Sequence, residues 1–430
     1  MSRLSFFALL RFYLPLALSG LLMTLQQPVV MSVIARTTSP KESLAAYGLA
    51  LSVAVLLESP IQMLLTAGAV LAHDKPSFRL LQRSTLAAGA TLAGLAAILA
   101  FTPLGQVFFH HILSAPSKIS AHTVVALRVM VFWPLVVAWR RLYQGILISL
   151  GQTRAISYGT VGRLVVIAAV AFLVAVPAGG PGAVAGTSAL MAGAVFEALF
   201  VTGWLRLAGR SMNDAHSETE ALTLGRLGRF YWPLALTSVL TVLSWPLINA
   251  GIGRSAMSEQ SLAAWPVILS LLWLFTTPLQ MLQQMTIALA ADTDLRAVRH
   301  FALGFGAVMS GLLGLICFTP LLEVLLVRVL TTPAEIIVPV VLAGRLLVPL
   351  PFLAATEAFC QGFLIQRKCT AVVRTAMGIN LLVLSSAFII GTQRGSVPGF
   401  LLAPAAMTAG LLAEVGWLWR HASAHLTPLE

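Results

Sequence analysis

The sequence predicts an all-α polytopic membrane protein: twelve transmembrane helices in two six-helix lobes, related by a pseudo-twofold along the membrane normal. Three observations predict it. Of 430 residues, 58% are hydrophobic and only 10% are charged, too few charges to cover the surface of a water-soluble core of this size. Uncharged runs recur along the chain, many exceeding the roughly 20 residues a helix needs to cross the hydrocarbon layer. The third observation is a repeat. "LLRFYLPLALSGLLMTLQQPVVMSVIAR" at 9–36 returns as "LGRFYWPLALTSVLTVLSWPLINAGIGR" at 227–254, with 13 of 28 positions identical at an offset of 218.

Apolar runs between polar breaks place the spans near 6–34, 44–72, 80–103, 123–149, 155–177, 183–206, 229–252, 261–290, 298–319, 336–366, 370–391 and 398–419. The first run is not read as a cleaved leader, because a leader has no reason to recur mid-chain. Connections are short, and the longest polar one begins "RSMNDAHSETEAL" at 210. The expected domains are therefore a lobe at 1–209, a linker at 210–228 and a lobe at 229–430. Sixteen Lys and Arg fall on the amino-terminal side of the spans, among them Arg79, Arg154, Arg299 and Lys368. Only six fall on the other: Arg36, Lys41, Lys118, Arg254, Arg328 and Arg394. That bias orients both termini to the cytoplasm. It also explains the net charge of +12 without a nucleic-acid partner.

The repeat continues beyond one helix. "SLAAYGLALSVAVLLESPIQML" (43–64) lies over "SLAAWPVILSLLWLFTTPLQML" (261–282), and "YQGILI" (143–148) over "CQGFLI" (360–365) at an offset of 217. Arg128 matches Arg345, Pro134 matches Pro351 and Glu197 matches Glu414. Span 2 carries a one-faced polar stripe of Ser52, Ser59, Gln62 and Thr66, which span 8 repeats as Ser270, Thr277, Gln280 and Gln284. With Gln26 and Gln27 of span 1 and Thr237, Thr241, Ser244 and Asn249 of span 7, these are expected to line a water-filled cleft. Helix–helix hydrogen bonding is the other reading of such stripes. Pro28, Pro60, Pro246 and Pro278 sit mid-span as hinges or fixed kinks.

Nine charges lie inside spans: Glu58, Arg128, Arg140, Arg141, Arg163, Glu197, Arg345, Glu357 and Glu414. Each costs about 2.5–3.5 kcal/mol at a helix centre, so each needs a partner or water. One layer is informative. The first half holds Arg140, Arg141, Arg163 and Glu197, where the second holds Glu357, Ala358, Asn380 and Glu414. The location is kept and the charge reversed. The expected substrate pathway is Gln26, Gln27, Glu58, Gln62, Arg140, Arg141, Gln144, Asn249, Gln280 and Gln284. Glu357, Asn380 and Glu414 are expected to serve a coupling proton or sodium ion, because neighbouring carboxylates favour a shared cation. Arg163, Glu197, Arg128 and Arg345 are expected in intramembrane charge pairing, with capping of helix ends as the alternative.

His110 and His111 fall in the connection between spans 3 and 4, and adjacent side chains should point apart, so no metal site is expected. Cys317, Cys360 and Cys369 form no CxxC pair and read as core residues. HExxH, GxSxG and Walker patterns do not occur, so neither an enzyme nor a cofactor is expected.

At "LRFYLPLALSG", "LAAYGLALSV" and "FYWPLALT…WPLIN" the chain resembles the progressive ankylosis (ANK) family, from about residue 9 to 420. Gly410 to Glu414, a "GxxxE", is similar to that family's last span. The resemblance implies the flippase superfamily that includes multidrug and toxic compound extrusion transporters and lipid-linked oligosaccharide flippases. It further implies export of small polyanions such as pyrophosphate, ATP and citrate, the activity associated with animal members. The chain departs from the family at Thr24 and Gln27, where the family has acidic residues, and at Ser32, where it has a basic one. The long acidic tail of animal members is also missing. The expected function is thus an alternating-access exporter of small organic or phosphorylated anions, proton- or sodium-coupled, acting as a monomer in a bacterial inner membrane. Multidrug efflux antiport, lipid flipping and a non-transporting scaffold are the alternatives.

Overall fold

The computed structural model describes residues 9–10, 13–14, 24–37, 39–72, 74–150, 152–175, 181–207, 222–289, 295–367, 369–393 and 395–426. These residues are almost wholly helical, and among them the one β contact is an isolated bridge between Ala256 and Pro398. Lipid offers no partner to a backbone N–H or C=O, so a spanning segment must satisfy its own, and the α-helix does so.

Eight helices are long and apolar enough to cross a membrane: Pro40–Gly68, Lys75–Phe101, Arg154–Leu173, Gly182–Leu207, Ser258–Ile287, Leu295–Phe318, Ala371–Gln393 and Gly399–Ser423. Two further spans are bent pairs, Ser117–Val129 with Trp133–Ile148 at 44° and Ala334–Leu347 with Leu350–Gln366 at 43°. The bends fall just before Pro134 and Pro351, which occupy the first turn of the second helix in each pair, where a missing N–H costs nothing. These ten correspond in order to the expected spans 2–6 and 8–12. Span 7 is two helices, Leu224–Val242 and Ser244–Gly253, with Pro246 at the start of the second. Of span 1, Gln26–Ile34 is described and helical.

The repeat reaches backbone detail. Phe108–Ile112 and Leu325–Val329 are both single π turns, and Ser114 and Thr331 follow them with φ of 53° and 48°. Arg128 donates from Nε to the carbonyl of Ala100 at 3.0 Å, and Arg345 to that of Cys317 at 3.3 Å. Each guanidinium also lies over a ring, of Phe101 and Phe318 respectively. The expected charge pairing of Arg128 and Arg345 is therefore corrected: they cap the carboxy-terminal ends of spans 3 and 9. Free carbonyls and the negative end of the macrodipole gather there.

The proline kinks differ between halves. At Pro60 span 2 breaks into a 3₁₀ turn, Ser59–Ile61, whereas span 8 runs unbroken through Pro266 and Pro278.

The chain divides into two compact units, Val29–Ala250 and Met1–Pro28 with Gly251–Glu430. This is not the division expected from the repeat, and residues 210–221 of the expected linker lie outside the described residues. Leu9 and Tyr13 sit in a core with Phe301, Phe359 and Phe363, while Leu227 sits in one with Leu142 and Ile146. Tyr13 donates its hydroxyl to the carbonyl of Pro278 at 2.7 Å, and Tyr231, its repeat equivalent, donates to Pro60 at 2.5 Å. Each half thus sends the start of its first helix into the other's core. Both copies keep the same Arg-Phe-Tyr and Pro-Leu-Ala-Leu positions, so the repeat alone cannot say which half receives which helix. Replacing Tyr13 or Tyr231 by Phe should cost about 1 kcal/mol each. The double variant should show the sum, because the sites belong to separate units. Thermal unfolding in detergent checks both.

Candidate functional site

In the unit Val29–Ala250 a fully buried carboxylate organises spans 4, 5 and 6. Glu197 is 0% exposed. Its Oε2 accepts from Arg140 at 2.5 Å and from Arg163 at 3.3 Å. Oε1 accepts from Gln144 at 3.0 Å and from Thr160 at 3.3 Å. The helical spacing of Arg140 and Gln144, four residues apart, stacks both on the face that meets Glu197. Thr160 and Arg163 do the same from span 5.

A second carboxylate, Glu58, ends the first helix of span 2, beside the Pro60 break. It is buried and accepts from the indole Nε1–H of Trp133 and from Gln62 Nε2. Arg141, next to Arg140, lies within electrostatic reach of both Glu58 and Glu197. Among the described residues its guanidinium is in neither ion pair, since both engage Glu197 through Arg140 and Arg163. The Nε atoms of all three arginines are buried without a hydrogen-bond partner. Three guanidiniums thus share two carboxylates, and the layer carries excess positive charge.

In the unit containing Gly251–Glu430 the same frame carries the opposite sign. Glu414, 3% exposed, accepts from Gln361 at 3.3 Å and from Asn380 at 2.6 Å. The Gln361 amide also donates to Glu357 at 2.8 Å, and its oxygen accepts from Gln283. A Gln–Glu pair therefore recurs as Gln144–Glu197 and Gln361–Glu414. The flanking positions are two arginines in one unit, and Glu357 with Asn380 in the other. Glycine makes room for the residue from the neighbouring span in both. A Cβ at Gly193 would lie 2.5 Å from Ile167 Cγ1 and 3.1 Å from Arg163 Cγ, and one at Gly410 would lie 2.6 Å from Asn380 Oδ1. This explains the "GxxxE" spacing.

The expected pathway residues separate into groups. Arg140 and Gln144 are committed to Glu197, and Glu58 is held by Trp133. Asn249 and Gln27 are buried, whereas Gln26 and Gln62 are half-buried and Gln280 is exposed. The Gln284, Thr237 and Thr241 side chains lie outside the described residues. The polar stripe divides as well. Ser52, Ser59 and Ser270 are buried and donate to carbonyls three residues earlier in their own helices, so they serve packing and not a wet surface. The expected Arg163–Glu197 pairing is present, and Asn380 and Glu414 meet as grouped. Sequence reasoning missed Gln361, Thr160 and Trp133. The "QG" repeat was a signal for Gln361; nothing in the sequence pointed to the other two.

The progressive ankylosis protein (ANKH) family matches residues 1–259. The chain belongs to that family. Solved structures give the fold. The chain is similar to an inward-facing multidrug resistance MATE family transporter of the MOP superfamily, at 16% identity and TM-score 0.70, covering 95% of this chain and 98% of the other. A MOP superfamily transporter from Pyrococcus furiosus, whose binding pocket is described as reversed in polarity, matches at 13% identity and TM-score 0.61 over 99% of both chains. The lipid II flippase MurJ in an inward closed conformation matches at 11% identity and TM-score 0.66, over 93% and 87%. This ANKH-family member is thus a multi-pass integral membrane protein with the fold of MOP-superfamily transporters.

The two carboxylates should respond differently to neutralisation. Glu197→Gln strands two buried guanidiniums and should cost about 3–5 kcal/mol. Glu414→Gln removes one of two neighbouring like charges and should cost less than about 1 kcal/mol. Thermal unfolding and the folded yield in detergent compare them.

Proposed function

We propose that this protein is an alternating-access exporter of small organic or phosphorylated anions, of the citrate, nucleotide or pyrophosphate class. Membership of the ANKH family and the fold shared with MOP-superfamily transporters support transport as the class of activity. The observation that carries the anion is the reversed charge of one frame. Arg140, Arg141 and Arg163 surround Glu197 in one unit, and Glu357 and Glu414 share Gln361 in the other.

Within the arginine layer the roles separate. Arg140 and Arg163 neutralise Glu197 and fix spans 4, 5 and 6 around it. Arg141, outside both ion pairs, is the guanidinium left to attract an anion, and its planar fork suits carboxylate or phosphate oxygens. The charge of Glu58 acts on Arg141 and would balance it between substrates. Gln62, half-buried on the same turn of span 2, offers a neutral donor beside it.

In the other unit, Glu357 and Glu414 lie against the two protons of one amide. Among the described residues no basic side chain pairs with them. A proton or sodium ion would relieve their repulsion, and the N–H donors of Asn380 and Gln361 hold the carboxylates in place for it. Both termini are proposed to be cytoplasmic, on the Lys and Arg asymmetry between the two sides.

The test is metabolite export from cells expressing the protein against an empty-vector control. Extracellular di- and tricarboxylates, pyrophosphate or nucleotides should rise. Arg141→Gln should reduce that rise at least tenfold at unchanged protein level, and Glu357→Gln with Glu414→Gln should abolish its response to pH and sodium. A rise in cationic dye extrusion with no anion change would replace this reading with drug efflux. An unchanged ion response would remove the coupling.

A further inference from the structure

The connection from span 3 to span 4 holds a histidine pair that the transport reading does not use. A short helix, Pro103–Val107, runs into the π turn Phe108–Ile112, and span 4 begins at Ser117. In an α-helix, consecutive side chains diverge. A π turn is closed by i→i+5 bonds, so it fits about one more residue into each turn and brings neighbours nearer to one direction. His110 and His111 accordingly do not point apart as expected. Their ring centres are 4.9 Å apart at 74°, and both rings line one groove of about 290 Å³ with Gln106, Ser117 and Ser120.

His110 Nδ1 lies 2.9 Å from the carbonyl oxygen of Ala115. A carbonyl only accepts, so in the neutral ring the proton sits on Nδ1 and the lone pair on Nε2. Backbone tethering of one ring nitrogen is how metal-ligating imidazoles are oriented. Ser120, in the groove wall, is 3% exposed and its Oγ has no hydrogen-bond partner. Buried hydroxyls are ordinarily satisfied, so this oxygen waits for a ligand or water.

The repeat separates ligand chemistry from fold chemistry. The second unit has the same π turn at Leu325–Val329. It closes with Leu330 N–H to Leu325 O and Thr332 N–H to Leu326 O, as Leu113 does to Phe108 and Ala115 to Phe109. Yet Val327 and Arg328 stand where His110 and His111 do. The turn therefore needs neither imidazole nor the tether to Ala115.

We propose that His110 and His111 bind a divalent cation of the zinc class. Two imidazoles sharing one ion at about 2.0–2.1 Å place their ring centres roughly 4.5–5.3 Å apart, for angles at the ion from square to tetrahedral, a range that includes the spacing seen here. Imidazole suits zinc, copper and nickel. Among the described residues no group of three His, Cys, Asp or Glu side chains converges, so the remaining positions fall to Ser120, Gln106 or water. The site is then an open one, weaker than a four-ligand structural zinc centre. The proposed topology puts it on the outer face, but the inference does not depend on what is transported.

Zinc titration of the tag-free, full-length protein in detergent tests it, by calorimetry and by thermal unfolding. The protein should bind Zn²⁺ and unfold at a higher temperature with it. His110→Ala with His111→Ala should weaken binding at least tenfold and remove that shift, while His300→Ala should leave both unchanged. With Cu²⁺ in place of zinc, the electron paramagnetic resonance spectrum should show two nitrogen ligands, lost in the double variant. Zinc binding unchanged in that variant, or a copper spectrum without imidazole splitting, would overturn the proposal.

Discussion

A carboxylate buried between membrane helices must collect donors on every side, because neither lipid nor water will serve it there. Glu197 collects four, from Arg140, Gln144, Thr160 and Arg163. Its demand fixes the rotation of spans 4, 5 and 6 about their axes, since each must present those side chains inward at one depth. The glycine at 193 leaves room for Ile167 and Arg163 of span 5 to pack against span 6. From this one ion the layer's geometry follows, including the presence of Arg141 beside a carboxylate that two arginines already engage.

The duplicated half keeps the geometry and changes the chemistry. Gln361 and Glu414 repeat Gln144 and Glu197, while Glu357 and Asn380 take the places of two arginines. The backbone devices do not change. Arg128 and Arg345 cap equivalent helix ends, the fourth and tenth spans bend by nearly the same angle, and the π turns close with the same bonds. What repeats is what the fold requires of any such bundle. What diverges is free to serve a ligand, and the polar layer and the His110–His111 turn both diverge.

Exchange of the first helices adds a second constraint. Tyr13 and Tyr231 each reach a proline carbonyl in the unit they have joined. The segments at 28–29 and 250–251 therefore belong to no single core.

The sequence by itself determined the membrane class, ten described spans to within a few residues, the duplication and the matched positions of the charged layer in the two halves. Those follow from hydrophobic length and from the cost of charge in lipid, both local properties of a chain. Only tertiary structure decided that Arg140 is bound to Glu197 while Arg141 is not, that Ser52 and Ser270 face packing, and that Arg128 and Arg345 cap helices. It also decided that Leu9 and Tyr13 pack with the second half, and that the rings of His110 and His111 meet. Each depends on the rotation of one helix against another, or on a single π turn. Spacing along a chain does not encode either, because the partner that sets the rotation lies tens or hundreds of residues away.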